Sequence, residues 1–276
     1  EGLASTDVSA TIVADRPIVV ERALYLNSGG KIFGAGHESA GVTAPATRWF
    51  LAEGATGDLF DLFVLVANPN AQAATVEARF LLTNGTVYTK SYPVAGNSRF
   101  NIWVDLEEIP AGSGQFPLAN AEVSTTITST NGVPIIVERA MWWPGGPSTW
   151  YEAHNSPAAT STGTLWALAD GETGGASSVE TYVLIANTSA FAGTARVKLV
   201  FDDGTTVSRD FALLANSRFN VAAGAEFPES AGRRFGTLVE SLGATPAQLV
   251  VERAMYSNAE GTWWAAGTNA LATKLR

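Results

Sequence analysis

The chain has 276 residues, 46% hydrophobic and 16% charged, so about two domains with real cores are expected and disorder is excluded. Seventeen basic against 26 acidic residues leave a net charge of −9, and only Lys31, Lys90, Lys198 and Lys274 are lysines, which argues against nucleic acid or an anionic membrane surface as partner. With no Cys and two His there are no disulfides, thiol nucleophiles or zinc–thiolate sites, and neither cofactor nor metal is expected.

In chain order, residues 8–12 and 18–25 read as strands, the second with apolar residues on both faces, and Gly34-Ala35-Gly36 reads as a turn fragment. Residues 60–67 form the longest apolar run. It is far short of the ~20 residues of a membrane span, no basic-then-apolar leader precedes it, and a mature or trimmed soluble piece is expected. Its period is two: Phe60, Leu62, Val64 and Val66 alternate with Asp61, Phe63, Leu65 and Ala67. Val76, Ala78, Phe80 and Leu82 then lead into Asn84-Gly85, a type I′ hairpin signal. Further strands are expected at 99–104, 122–129, 135–143 and 150–153. The second copy repeats the pattern with Val179, Thr181, Val183 and Ile185, then Ala195, Val197, Leu199 and Phe201 before Asp203-Gly204. Helix is confined to single turns at 105–109 and 224–231.

Four landmarks recur in one order. Val20-Glu21-Arg22-Ala23 returns at Val137-Glu138-Arg139-Ala140 and Val251-Glu252-Arg253-Ala254, at spacings of 138 − 21 = 117 and 252 − 138 = 114. Trp49-Phe50-Leu51-Ala52-Glu53-Gly54 returns as Trp166-Ala167-Leu168-Ala169-Asp170-Gly171, Leu65-Val66-Ala67-Asn68 as Leu184-Ile185-Ala186-Asn187, and Asn97-Ser98-Arg99-Phe100-Asn101 unchanged as Asn216-Ser217-Arg218-Phe219-Asn220. The chain therefore divides into a partial unit (1–48) and two full units (49–165 and 166–276). About seven short strands in roughly 115 residues predict an all-β chain of tandem antiparallel β-sandwich repeats of immunoglobulin-like type, ahead of a jelly roll or four-stranded propeller blades.

Adjacent strand residues face opposite sides, so Glu21 and Arg22, Glu138 and Arg139, and Glu252 and Arg253 cannot pair within each landmark. Set among apolar neighbours, each needs another partner. Glu138 is expected to meet Arg99 or a backbone cluster, and Glu252 to meet Arg218. A pair of carboxylates across a sugar is the functional reading. A structural ion pair in every unit is the preferred one, because one active site needs no copy in each repeat. Glu53 and Asp170, like Asp61 and Glu180, read as loop caps or solvated faces. His37 and His154 match each other, with Gly267 in the third copy, and read as turn features. No calcium loop, P-loop, nucleophile elbow, H-E-x-x-H or complete G-x-G-x-x-G occurs.

Trp142, Trp143, Trp150 and Tyr151 bracket Pro144-Gly145-Gly146-Pro147, and Tyr256, Trp263 and Trp264 occupy the matching hairpin. One Trp of each adjacent pair is expected outside its own core, as a plug against the next repeat or as a platform for a sugar ring.

The series Trp49 to Gly54, Ala67-Asn68-Pro69, Asn97-Ser98-Arg99 and Val137 to Met141 resembles an uncharacterised repeat family of long secreted bacterial surface proteins. The resemblance covers nearly the whole chain and departs at Asp170 and Thr188. It implies an extracellular location and a β-sandwich, and transfers no catalytic residue. The expected function is that of a non-enzymatic extracellular stalk, surface-layer or filament segment whose partner is itself, through neighbouring repeats or subunits. A carbohydrate-binding module taking polysaccharide on its Trp-rich hairpins is the alternative.

Overall fold

The computed structural model describes residues 2–4, 6–145 and 148–276. It opens with a hairpin, β1 (Glu21–Ser28) and β2 (Lys31–Ala40). Eight strands follow: β3 (Arg48–Leu51), β4 (Asp61–Asn68), β5 (Ala74–Leu82), β6 (Val87–Val94), β7 (Ser98–Trp103), β8 (Val123–Ser129), β9 (Ile136–Gly145) and β10 (Ser148–Pro157). The set then recurs as β11 (Leu165–Leu168), β12 (Glu180–Asn187), β13 (Gly193–Phe201), β14 (Thr206–Leu213), β15 (Ser217–Ala222), β16 (Phe235–Leu242), β17 (Leu249–Ala259) and β18 (Thr262–Leu271), closed by the two-residue β19 (Thr273–Lys274). Helix among the described residues amounts to α1 (Ala223–Glu226) and two 3-10 turns, Val104–Leu106 and Pro228–Ser230. None of it is long and apolar enough to cross a membrane.

The chain is all-β, and every sheet is antiparallel. Strand orders β3-β8-β5-β6 and β10-β9-β4-β7 in the first set reappear as β11-β16-β13-β14 and β18-β17-β12-β15 in the second, with β19 added beside β11. In β4 the alternation seen in the sequence puts Leu62, Val64 and Val66 inward, where they meet Val76, Ala78 and Phe80 of β5, Ile102 of β7 and Ile127 of β8 in one apolar cluster. Both sheets of the first set contribute to that cluster. A second cluster unites Val183 and Ile185 of β12 with Val197 and Leu199 of β13, Val221 of β15 and Val239 of β16. Burying one such aliphatic side chain stabilises by roughly 1.5–3 kcal/mol, so each pair of sheets carries its own core. The first strand of each set lies beside the sixth, and the seventh beside the second. In the immunoglobulin arrangement the first strand adjoins the second.

The recurring motifs are backbone devices. Asn68 and Asn187 donate to loop carbonyls, Asn68 to Gln72 at 2.8 Å and Asn187 to Phe191 at 3.0 Å, which ties each strand end to the following loop. Asn97 and Asn216 hold φ near +50° and +45°, a left-handed conformation that Asn tolerates, and the next serine caps the turn into β7 or β15. Gly54 has no room for a side chain: a Cβ there would lie 2.7 Å from the Val123 carbonyl and 2.9 Å from Leu62.

Several local expectations are corrected. At Asn84-Gly85 only Gly85 has positive φ, and Gly85 N–H donates to Leu82 O while Asn84 Oδ1 accepts from Thr86 N; Asp203-Gly204 behaves alike. These are three-residue loops, a type I turn followed by a left-handed glycine, and not type I′ turns. Residues 34–36 lie inside β2 rather than in a turn, which sits instead at Gly29-Gly30. Residues 8–12 form no strand, since no neighbour is aligned with them. Of the turn at 144–147, Gly146 and Pro147 lie outside the described residues.

Candidate functional site

The two sets of strands meet in a buried seam. The outer face of sheet β18-β17-β12-β15 presents Leu184, Ala186, Ala254, Tyr256, Glu252 and Arg218, all buried. The loop after β3 (Ala52, Glu53, Gly54), Phe60, Trp143 of β9 and His154 of β10 cover it. Trp143 donates its indole N–H to Trp264 O at 2.8 Å and stands edge-on to Tyr256, with ring centroids 5.4 Å apart.

At its centre Arg139, with 0% side-chain exposure, reaches Glu53 Oε2 and Glu252 Oε2, each at 2.7 Å. Glu252 Oε1 also accepts from Ala52 N at 2.8 Å, and Glu53 Oε2 accepts from Asn269 Nδ2 at 2.6 Å. Arg218 donates to Gly54 O and lies 3.4 Å from Val123 O. Two carboxylates and two guanidiniums therefore balance, which is the condition under which buried charge is tolerated. Burial pushes Glu252 above the ordinary carboxylate range although Arg139 opposes it, and burial pulls Arg218 down. Burial also opposes the Arg139 charge, but its two carboxylates outweigh that and raise its pKa. His154 Nε2 lies 3.1 Å from Tyr256 Oη, and burial together with Arg139 holds its pKa well below the usual value, so the ring is neutral. No exposed face remains on Arg139 or Glu252, and the cluster receives no substrate while the seam is closed.

The expected partners of the repeated glutamates are thus corrected. Glu252 meets Arg139, not Arg218, and Glu138 meets Arg22 at 2.8 Å, not Arg99. Because Glu and Arg of one landmark face opposite sides, the Arg of one repeat reaches forward and the Glu of the next reaches back. Arg99 instead pairs with Asp7 at 2.9 Å, Arg218 holds backbone carbonyls, and Arg253 pairs with Asp170 at 2.7 Å. Glu21, exposed at the start of β1, joins none of these pairs. Glu53 is buried, contrary to its reading as a solvated acid. Asp61 and Glu180 accept the indole N–H of Trp150 and Trp264. By register the position equivalent to His154 in the third hairpin is Thr268 rather than Gly267, since His154 stands opposite Met141 and Thr268 opposite Met255.

Among the aromatics, Trp143, Tyr256 and Trp264 lie in the seam as plugs. Trp142 and Trp150 sit on the outer face of sheet β10-β9-β4-β7 with Phe63 and Trp103, at centroid spacings of 5.0–6.4 Å. Tyr151 is half-buried and its carbonyl accepts from Ser28 Oγ at 2.5 Å. Trp263 and Trp264 stack on each other at 4.0 Å instead of facing apart, because Trp264 has a φ of +49° and breaks the alternation. Asp7, Asn269 and Glu152 were not legible as site residues. Glu53, like Arg139, Arg218 and Glu252, carried a signal in its place in a repeated motif.

Hairpin β1–β2 meets β10 through Gly36 N and Glu152 Oε1, 3.3 Å apart. Burial pushes Glu152 up to about 7 from 4.5, so its contribution is fully present below pH 4.5 and lost as pH rises through 7. Burial and Arg22 bring His37 down to about 4 from 6.5, a contribution present above pH 6.5 and lost as pH falls through 4. Melting curves of Glu152→Gln should gain on wild type steadily between pH 4.5 and 7; an offset independent of pH counts against burial of that carboxylate.

No family model and no curated protein matches the chain. Among solved structures it is similar to the crystal structure of Thermotoga maritima 1070, at 12% identity and TM-score 0.35 over 41% of this chain and 94% of that one. It is also similar to the Anabaena sensory rhodopsin transducer, at 19% identity and TM-score 0.29 over 36% of this chain and 86% of that one.

Proposed function

We propose that the protein is a non-enzymatic extracellular structural repeat protein, a stalk, surface-layer or filament segment that acts by self-association or adhesion through stacked repeats. The observation that carries this reading is the seam, in which Arg139, Glu53 and Glu252 are sealed between two sets of strands by Trp143 and Tyr256. Such a joint holds neighbouring units at one fixed angle, the property a stalk or filament needs. Each unit is, on this reading, a tandem sandwich of immunoglobulin-like layering with its outer strands exchanged between sheets. One apolar cluster shared by two sheets favours layers over propeller blades. The extracellular location rests on the motif resemblance.

A second reading has its own observation. The half-open patch of Phe63, Trp103, Trp142 and Trp150, with Asn101 exposed beside it, has the make-up of a sugar-stacking platform. Negative-stain images and sedimentation over a wide concentration range separate the two. Ordered strings or concentration-dependent association support the structural reading. A monodisperse 28.9 kDa species removes self-assembly, and retention on an insoluble polysaccharide then favours the binding module.

A further inference from the structure

We infer that residues 8–40 and the outer face of sheet β10-β9-β4-β7 together form the docking surface for a five-stranded antiparallel body of this same repeat, built like β3–β7 and carrying an acidic loop like Ala52-Glu53-Gly54. Four observations meet on this surface. β9 pairs on one edge with β10 and on the other with β4, and β17 pairs likewise with β18 and β12, but β1, which carries the same landmark, pairs among the described residues only with β2. Its Leu24 is 38% exposed where the equivalent Met141 of β9 is 1% exposed.

Arg22 stands where Arg139 and Arg253 stand in the two full sets. Each of those holds a carboxylate from the loop after the first strand of its own set, Glu53 or Asp170, whereas Arg22 holds only Glu138 of the next set and is 45% exposed. A second acid fits beside it. Val8-Ser9-Ala10-Thr11-Ile12 follows the pattern of Val123-Ser124-Thr125-Thr126-Ile127 in β8, a strand held between β3 and β5. In the repeat at residues 8–12 the same apolar side chains are exposed and the backbone is unpaired. The segment nevertheless starts in the right place: Asp7 bonds Arg99 and Asn101, as Val123 O approaches Arg218 in the seam.

The outer face completes the imprint. Tyr256 and Trp264 of the last hairpin are covered by Phe60, with centroids 6.0 and 5.9 Å away, and their counterparts Trp142 and Trp150 await an equivalent cover. The end of a second copy suits this place poorly. It presents Ser257 and Thr268 where the seam has Trp143 and His154, and its sheets already hold their own hairpin.

The inference rests on the stacked-repeat reading and adds the partner's form. It is tested on the full chain with residues 1–7 replaced by a copy of residues 49–122. Amide hydrogen exchange of β1 and of residues 8–13 should slow by at least about tenfold, to the rates of β8 and β9. Arg22→Glu in the extended chain should abolish that protection, and Glu53→Arg in the grafted copy should restore it. A graft that stays unfolded, or one that folds while β1 exchanges as before, overturns the inference. So does protection of β1 that rises with concentration in the unextended chain, which assigns the surface to a second copy. Protection in the extended chain without strings in the images keeps this partner and removes the filament reading, so the two failures are distinguishable.

Discussion

Glu252→Ala destabilises the protein by about 3–5 kcal/mol, whereas Glu138→Ala at the equivalent position costs no more than about 1 kcal/mol. The two glutamates share one motif and differ in what surrounds them. Glu252 is fully buried, and its loss leaves Arg139 with half its charge partners in a site closed to solvent. The Ala52 N–H also loses its acceptor. Glu138 faces an Arg22 that is 45% exposed, so solvent screens the pair and replaces the lost contact. Arg139→Ala should resemble Glu252→Ala or exceed it, because two buried carboxylates are then left uncompensated. Denaturant titrations of the three variants check this. Equal losses for Glu138 and Glu252 would contradict the burial assigned to the seam.

The second large effect is expected at Trp143, where replacement by Ala removes a side chain that is 1% exposed and costs about 3–5 kcal/mol. Part of that is contact between the two sets of strands: the indole N–H loses Trp264 O, and Tyr256 and Phe60 each lose a ring neighbour. Gly267 records how closely the indole packs, since a Cβ there would lie 2.7 Å from its ring. Trp142→Ala, one residue earlier and on the half-covered face, should cost clearly less. Calorimetry discriminates further. If Trp143 is a plug between units, its loss should split one transition into two, and a single transition shifted as a whole would count against a plug between separable units.

Much of the architecture was legible in the sequence. Period-two alternation in residues 60–67 and the matched run at 179–185 specify strands, and repeated landmarks specify that one set of strands occurs twice. These are local properties of the chain, so local pattern suffices. The turn type at Asn84-Gly85 was not settled by its residues, because Asn and Gly serve both a type I′ turn and a type I turn with a left-handed glycine, and the strand register chooses between them. The stacking of Trp263 on Trp264 escaped for a similar reason: one left-handed residue cancels the alternation from which facing was inferred.

The sequence by itself determined that each repeat brings a Glu and an Arg to opposite faces of one strand, and that both need partners. Which partners they take was decided only by tertiary structure. Arg139 meets Glu53, far back in its own set, and Glu252, in the next, because the packing of one sheet's outer face on the preceding loop brings the three together. Nothing in the local pattern encodes that packing angle. The same is true of burial: Glu53 and Asp170 occupy one motif position, yet Glu53 is 3% and Asp170 67% exposed, because a neighbouring unit covers the first and not the second.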